Sequence, residues 1–219
     1  MMESSVFKRA SYVGTQISPA LYNVTIGLTL CWGFLVNWLI IQTIPVEMLY
    51  GYDTRIFFFG FIICAIAGSF VLNRSQNPVF SFLGYNLIVI PFGFVLNLVV
   101  SQFDSALVLE AVKVTGEISF MMMLLGAMYP KFFLSIGRGL FIALLVAVVV
   151  ELVNSFLFHQ VSTGMDWIVA LIFSGYIGYD WARANAIPKT LDNAIDSAAA
   201  LYLDIINLFL RVLRILSRR

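Results

Sequence analysis

Apolar residues run along this chain in long unbroken stretches, separated by short polar breaks. A helix needs about 20 mostly apolar residues to cross the hydrocarbon core of a bilayer. Residues 24–44, 56–72, 79–100, 106–129, 132–158 and 165–184 meet that requirement. A seventh stretch, 194–216, is apolar but carries Asp196, Asp204, Arg211 and Arg214. The connections are short and marked by Pro45, Asn77-Pro78, Pro130 and Pro188, residues that stop or start helices. The pattern predicts an all-α membrane protein built as a seven-transmembrane helix bundle. It divides into an N-terminal segment 1–23, one transmembrane domain 24–216 and a tail 217–219. No sequence repeat is visible, so no inverted-repeat transporter is predicted.

Composition agrees with the pattern. The 219 residues are 61% hydrophobic and only 11% charged, and the mean hydropathy is +0.94. A soluble domain is nearer half apolar and a quarter charged. The lipid bilayer is thus the first partner. The net charge of +1 says nothing of partners, and no basic patch with interleaved aromatics points to nucleic acid, so none is expected as a partner. Cys31 and Cys64 lie within apolar runs and read as small buried side chains. The polar start is too long for a signal peptide, so the first apolar run is expected to be a retained span.

Basic residues near the span ends set orientation. Lys8, Arg9, Arg74, Lys131, Arg138, Arg183 and Lys189 fall on one side. The other side has Arg55 alone among Glu47, Asp53, Asp104, His159 and Asp166. The N-terminus is therefore expected in the cytoplasm. Seven spans place Arg218 and Arg219 outside, against the same rule. Either neighbouring helices hold the last segment there, or it re-enters and the tail returns. Small residues recur every four positions at Ala170, Ser174, Gly178 and Ala182, and at Gly60, Cys64 and Gly68. That spacing predicts close helix packing within the chain, with the seventh helix the nearest candidate against the sixth.

Two aspartates carry the chemistry. Asp180 closes the run LIFSGYIGYD, and Asp204 stands inside LYLDIINLFL. A carboxylate at membrane depth is costly, and such residues are functional candidates by default. A helical hairpin turning between Pro188 and Asp192, capped by Thr190 or Asp192, puts both at similar depth. Two carboxyl groups in contact cannot both ionise cheaply, so they titrate as a unit. Such a pair shares a proton, repels, or binds a cation; calcium is the tentative metal for Asp180 and Asp204. The plainer alternative is structural: Asp180 bonded to Tyr179 or Tyr202, and Asp204 to Asn207.

Other charges also fall within spans. Glu110, Lys113 and Glu117 share one face of the fourth, where Lys113 can pair with either acid. They read equally as a structural triad or as part of an ion pathway. Glu151 has no partner in its own helix and is a further candidate for proton or cation handling. Arg74 reads as a cytoplasmic anchor or as a cation for Asp180. Arg211 and Arg214 are expected to reach the interface or a partner such as Asp204.

The runs SGYIGYD (174–180) and LYLDIINLFLRVLRIL (201–216) closely resemble the signature of the Bax inhibitor family, the transmembrane Bax inhibitor motif proteins. The likeness is looser over LEAVKVTGEISF (109–120) and KFFLSIGRGL (131–140), and weak in the first two spans. It implies a seven-helix bundle whose C-terminal helix is central, surrounded by the other six. Family members are pH-sensitive calcium leak channels; eukaryotic members restrain cell death, and bacterial ones are linked to calcium flux and membrane protease control. The family's paired aspartates fall on Asp180 and Asp204, a proton-sensitive latch on a pore. An arginine of the second helix joins that latch, and Arg74 matches it. Phe132 and Phe133 stand where members commonly carry an aspartate, and Trp181 and Arg183 replace smaller polar residues after the YD. Arg183 is thus a second candidate for the latch cation. The short N-terminal tail fits a bacterial member in the plasma membrane, as against the endoplasmic reticulum for a eukaryotic one.

The expected function is a pH-sensitive calcium leak, without enzymatic activity and without a cofactor, calcium and protons being the transported or sensed ions. One alternative is a regulatory protein that controls membrane proteases or other membrane proteins without conducting. The other is an intramembrane aspartyl protease, whose second aspartate follows Gly-x-Gly; here Leu201, Tyr202 and Leu203 precede Asp204 and block a substrate backbone.

Overall fold

A computed structural model of the chain describes residues 15–51, 53–158 and 163–218. Lys8, Arg9, His159 and Arg219, which entered the orientation argument, lie outside the described residues, as do most of segment 1–23 and the Arg55 side chain. The described residues form eight α-helices and no strand: α1 (Pro19–Thr43), α2 (Val46–Tyr50), α3 (Thr54–Arg74), α4 (Pro78–Val100), α5 (Ser105–Met128), α6 (Pro130–Val153), α7 (Thr163–Ala186) and α8 (Leu191–Leu216). A π-helical turn, Asn154–Phe158, extends α6. Each predicted stretch lies on one long helix, and α2 is a short addition that the apolar pattern did not mark.

The predicted breakers act locally. Proline occupies the first turn of α1, α4 and α6, where its missing N–H is not needed. The Ser18 hydroxyl accepts from the Leu21 N–H at 3.2 Å, and Asn77 Oδ1 accepts from Val79 N–H at 2.9 Å. Thr190 supplies the predicted cap of α8, accepting from Asn193 N–H at 3.2 Å. By length and composition, three helices can cross a membrane: Pro19–Thr43, Pro78–Val100 and Pro130–Phe156; Phe59–Arg74 is a shorter apolar helix. The last segment is one continuous helix of 26 residues, about 39 Å long, and has no break of the kind re-entry requires.

The chain divides into two compact units, Met1–Gln102 with Ile187–Ala199, and Phe103–Ala186 with Ala200–Arg219. In the first, α4 packs on α1 and α3. Gly68 and Gly84 bring α3 and α4 together so tightly that a Cβ on Gly68 would lie 2.6 Å from the Gly84 carbonyl oxygen. The first turns of α8 are pinned through buried polar groups. Ser81 donates to Asp192 Oδ1 at 2.6 Å, and the Tyr22 hydroxyl lies 3.1 Å from Ser197 Oγ. Lys189 Nζ stacks 4.6 Å from the Tyr22 ring centroid, and burial pulls its ammonium below the usual lysine range.

In the second unit, α7 packs on both α5 and α6. The small-residue seam of α7 is realised, with different partners from the one expected. A Cβ on Gly126 would lie 2.5 Å from the Gly178 carbonyl oxygen, so α5 meets α7 backbone to backbone. On its other flank Gly178 takes the Phe133 ring of α6. The neighbour that the sequence reading named, the last helix, is not the one at closest approach. Close packing followed the glycine pairs Gly126/Gly178 and Gly68/Gly84, and Gly60 has nothing near it. Phe133, which departs from the family pattern, is buried and fills the hollow that Gly178 leaves two residues before Asp180. Gly126→Ala should destabilise by about 2 kcal/mol through overpacking, read as a lower melting temperature in detergent. Gly116→Ala, on the same helix with open space at its Cβ, should not.

Candidate functional site

The second unit carries its carboxylates at fixed places on packed helices. Asp180 lies near the end of α7 and is 8% exposed; Asp204 lies mid-way along α8 and is 7% exposed. The two carboxyl groups lie close enough to act on each other across the two helices. Two carboxylates this close cannot both ionise cheaply, so a single proton shared by the pair lowers the cost of burying them. One turn beyond Asp180 on the same helix, Arg183 Nη1 lies 3.2 Å from Asp180 Oδ1. With one shared proton and Arg183 the site is electrically neutral. Losing that proton leaves a net negative charge among buried side chains, where unpaired charge is costly. Leu201 and Tyr202, which precede Asp204, are fully buried.

Of the two candidate latch cations, Arg183 stands at the pair. Arg74 closes α3 in the first unit, exposed, with its guanidinium carbon 5.1 Å from the Phe70 ring centroid. Glu110, Lys113 and Glu117 share a face of α5 as expected, but that face is exposed. No ion pair joins them among the described residues, so the predicted pairing through Lys113 is not made. The reason is the helix period: α5 buries Ala111, Thr115, Ser119 and Gly126, and turns the three charges away.

Glu151 has found a partner, and it is one the sequence reading sent elsewhere. Both Glu151 oxygens receive the Arg211 guanidinium, Nη2 to Oε2 at 2.8 Å. Arg211 Nη1 also reaches Asp166 Oδ1 at 3.0 Å. Arg214 Nε stands 3.4 Å from the same oxygen, and Arg218 Nη2 3.1 Å from Asp166 Oδ2. The expected contact of Arg211 or Arg214 with Asp204 is thus replaced by Asp166 and Glu151. The signal was in the sequence: Arg211 and Arg214 recur at helical spacing in the last turns of α8, Arg218 follows just past its end, and an acid stands in the first turn of α7.

Among the described residues, no group of three or more His, Cys, Asp or Glu is placed to hold a metal ion. Calcium takes six to eight oxygens, and the pair Asp180 and Asp204 supplies only two carboxyl groups.

Fold and site define an integral membrane protein of packed helices with a buried aspartate pair. A family model described as Inhibitor of apoptosis-promoting Bax1 matches residues 16–219, and the chain belongs to this Bax inhibitor family. An uncharacterized protein of Helicobacter pylori is 42% identical over 86 residues, which covers 37% of this chain and 35% of that protein. An uncharacterized membrane protein of Streptococcus pyogenes is 29% identical over 133 residues, 58% of each chain. Inner membrane protein YbhL of Escherichia coli is 27% identical over 184 residues, 77% of each chain. The chain thus spans about a third of the Helicobacter pylori relative and most of YbhL.

Proposed function

We propose that this protein is a pH-sensitive leak for calcium or a similar cation, gated by Asp180 and Asp204. The observation that carries this reading is the close approach of two buried carboxyl groups on different helices. Sharing a proton, they tie α7 to α8; both ionised, they repel across a short distance in a medium of low dielectric. Proton loss therefore pushes apart the two helices that the bond holds together, which is what a latch requires. Arg183 favours the ionised form and tunes the pH at which the latch releases.

The membrane arrangement that goes with this reading is seven spans, α1 and α3–α8, with the N-terminus in the cytoplasm of a bacterium and the C-terminal helix central. The ion pairs of Arg211, Arg214 and Arg218 with Asp166 support it. They are a physical reason for a basic tail to stay on the side that the positive-inside rule disfavours. Packing at Leu201 and Tyr202 speaks against proteolysis, because a substrate backbone has no room to reach Asp204.

The test is radiolabelled calcium flux through purified protein in vesicles across a pH series. Flux should rise as pH rises through a single midpoint. Arg183→Gln should move that midpoint upward by about one pH unit, since a neighbouring cation favours a carboxylate by that order. Arg74→Gln should leave it in place. Wild-type vesicles without calcium flux at any pH, together with a stable protein partner recovered by pull-down, would favour the regulatory alternative.

A further inference from the structure

Hydroxyls in helices usually donate to a carbonyl three or four residues back. Thr25, Thr43, Ser135 and Ser174 do so, at 2.8, 2.7, 2.7 and 2.8 Å. Thr115 and Ser119 on α5 do not. They are 3% and 4% exposed, and neither hydroxyl has a hydrogen-bond partner among the described residues. In the same unit Asp204 Oδ2 is likewise buried without a hydrogen bond. Buried polar groups in native proteins are nearly always satisfied, by protein or by ordered water. Asp180 Oδ1 and Asp166 Oδ2 also lack hydrogen bonds but face the guanidinium groups of Arg183 and Arg218, which leaves Thr115, Ser119 and Asp204 Oδ2 as polar atoms that a ligand with donors and acceptors would match.

Their positions line up. A groove on the unit's outer side puts Val114 and Ile118 of α5 level with Ala170 and Ser174 of α7 and with Leu208 and Val212 of α8. Thr115 and Ser119 follow those two α5 residues in sequence, on the buried face. Gly126 stands level with Gly178, beside the aspartates. Along the unit the order is therefore Asp180 and Asp204, then Ser119, then Thr115, then the ionic cluster of Arg211, Glu151 and Asp166. Asp204 and Arg211 are seven residues apart on α8, about 10 Å. The two hydroxyls sit one turn apart on α5, about 10 and 16 Å from the level of Gly126, on the side toward Asp166, which stands in the first turn of α7, twelve residues before Gly178.

We propose that Thr115 and Ser119 line a hydrated path through the second unit, holding a file of water between the aspartate pair and the ionic cluster. The hydration rests on the unmatched hydroxyls alone; what moves along the path rests on the leak reading above. Each hydroxyl donates one hydrogen bond and accepts up to two, so it holds water in either orientation. Water at Asp204 Oδ2 gives that carboxyl a route for its proton, and the neutral hydroxyls replace part of the shell of a cation in transit. The charged ends then select, and the middle hydrates.

The test combines reactivity and flux in a cysteine-free background, Cys31→Ala with Cys64→Ala. Ser119→Cys and Thr115→Cys in vesicles should react with a small charged methanethiosulfonate at least about tenfold faster than Ala147→Cys, because the reaction needs a hydrated thiolate. Ala147 is a buried apolar residue of α6 in the same unit. Ser119→Ala and Thr115→Val should each lower calcium flux about fivefold, the worth of one lost hydrogen bond. Neither should raise the melting temperature. Cysteines at 115 and 119 as inert as at 147 overturn the path, as do hydroxyl-free variants that melt higher, the behaviour of dry unmatched groups. If wild type leaks calcium while these cysteines stay inert, the leak reading stands and the path falls. Rapid labelling in a protein that carries no calcium upholds the path and removes the leak.

Discussion

Asp204→Asn should abolish the pH dependence of calcium flux and leave the flux low. A gate set by one proton changes by at most about tenfold per pH unit on either side of its midpoint. Asparagine keeps the shape of the side chain and carries a permanent N–H donor. It therefore holds Asp180 at every pH as the shared proton does only below the midpoint. Asp204→Ala is the complementary case. It can neither donate nor accept, so the tie between α7 and α8 is lost, and flux should be high and equally flat. The two variants remove the same titration and differ only in whether the bond survives. Opposite flux levels with matched pH independence mark a latch; equal levels would mean that the carboxyl group acts in some other way.

Arg211→Met should cost about 3 kcal/mol of stability, the most of any single change in the ionic cluster. Arg211 serves two acids, Glu151 and Asp166, and its side chain is 14% exposed. Without it Glu151 loses its partner, and Asp166, 1% exposed, keeps only Arg214 at 3.4 Å and Arg218 at 3.1 Å. Arg218→Met should cost below about 1 kcal/mol, as expected of an ion pair nearer the surface. Melting temperatures in one detergent give the comparison. Adding Glu151→Gln to Arg211→Met should recover part of the loss, because it removes the acid left unpaired. Equal small losses for Arg211→Met and Arg218→Met would show the cluster to be ornamental.

The helices were legible because a bilayer reduces the problem to one dimension. Apolar runs set the spans, and Pro45, Pro78, Pro130 and Pro188 set the breaks, so element existence followed from short-range rules. The aspartate pair was legible for the same reason: two carboxyls within apolar runs, near one turn, stand out. What the chain did not disclose was which faces meet. The α7 seam was visible at Ala170, Ser174, Gly178 and Ala182, yet its partner at closest approach was Gly126, off the four-residue repeat of Ala111, Thr115 and Ser119 on the same helix. The sequence allows Arg211 the interface or a partner such as Asp204 on its own helix, whereas the acids that hold it, Glu151 and Asp166, come from α6 and α7. Helical period also decided the fate of Glu110, Lys113 and Glu117. One face of α5 cannot hold both that triad and the small polar stripe of Thr115 and Ser119 against its neighbours, and the stripe is what was buried.

Infrared titration of the carboxyl groups, run beside calcium flux on the same vesicles, tests the central claim most directly. If a shared proton on Asp180 and Asp204 closes the leak, a protonated-carboxyl band should disappear at the midpoint where flux rises. Asp180→Asn and Asp204→Asn should each lack both transitions. A flux transition that proceeds with no change in that band, or that survives in both variants, would contradict the account.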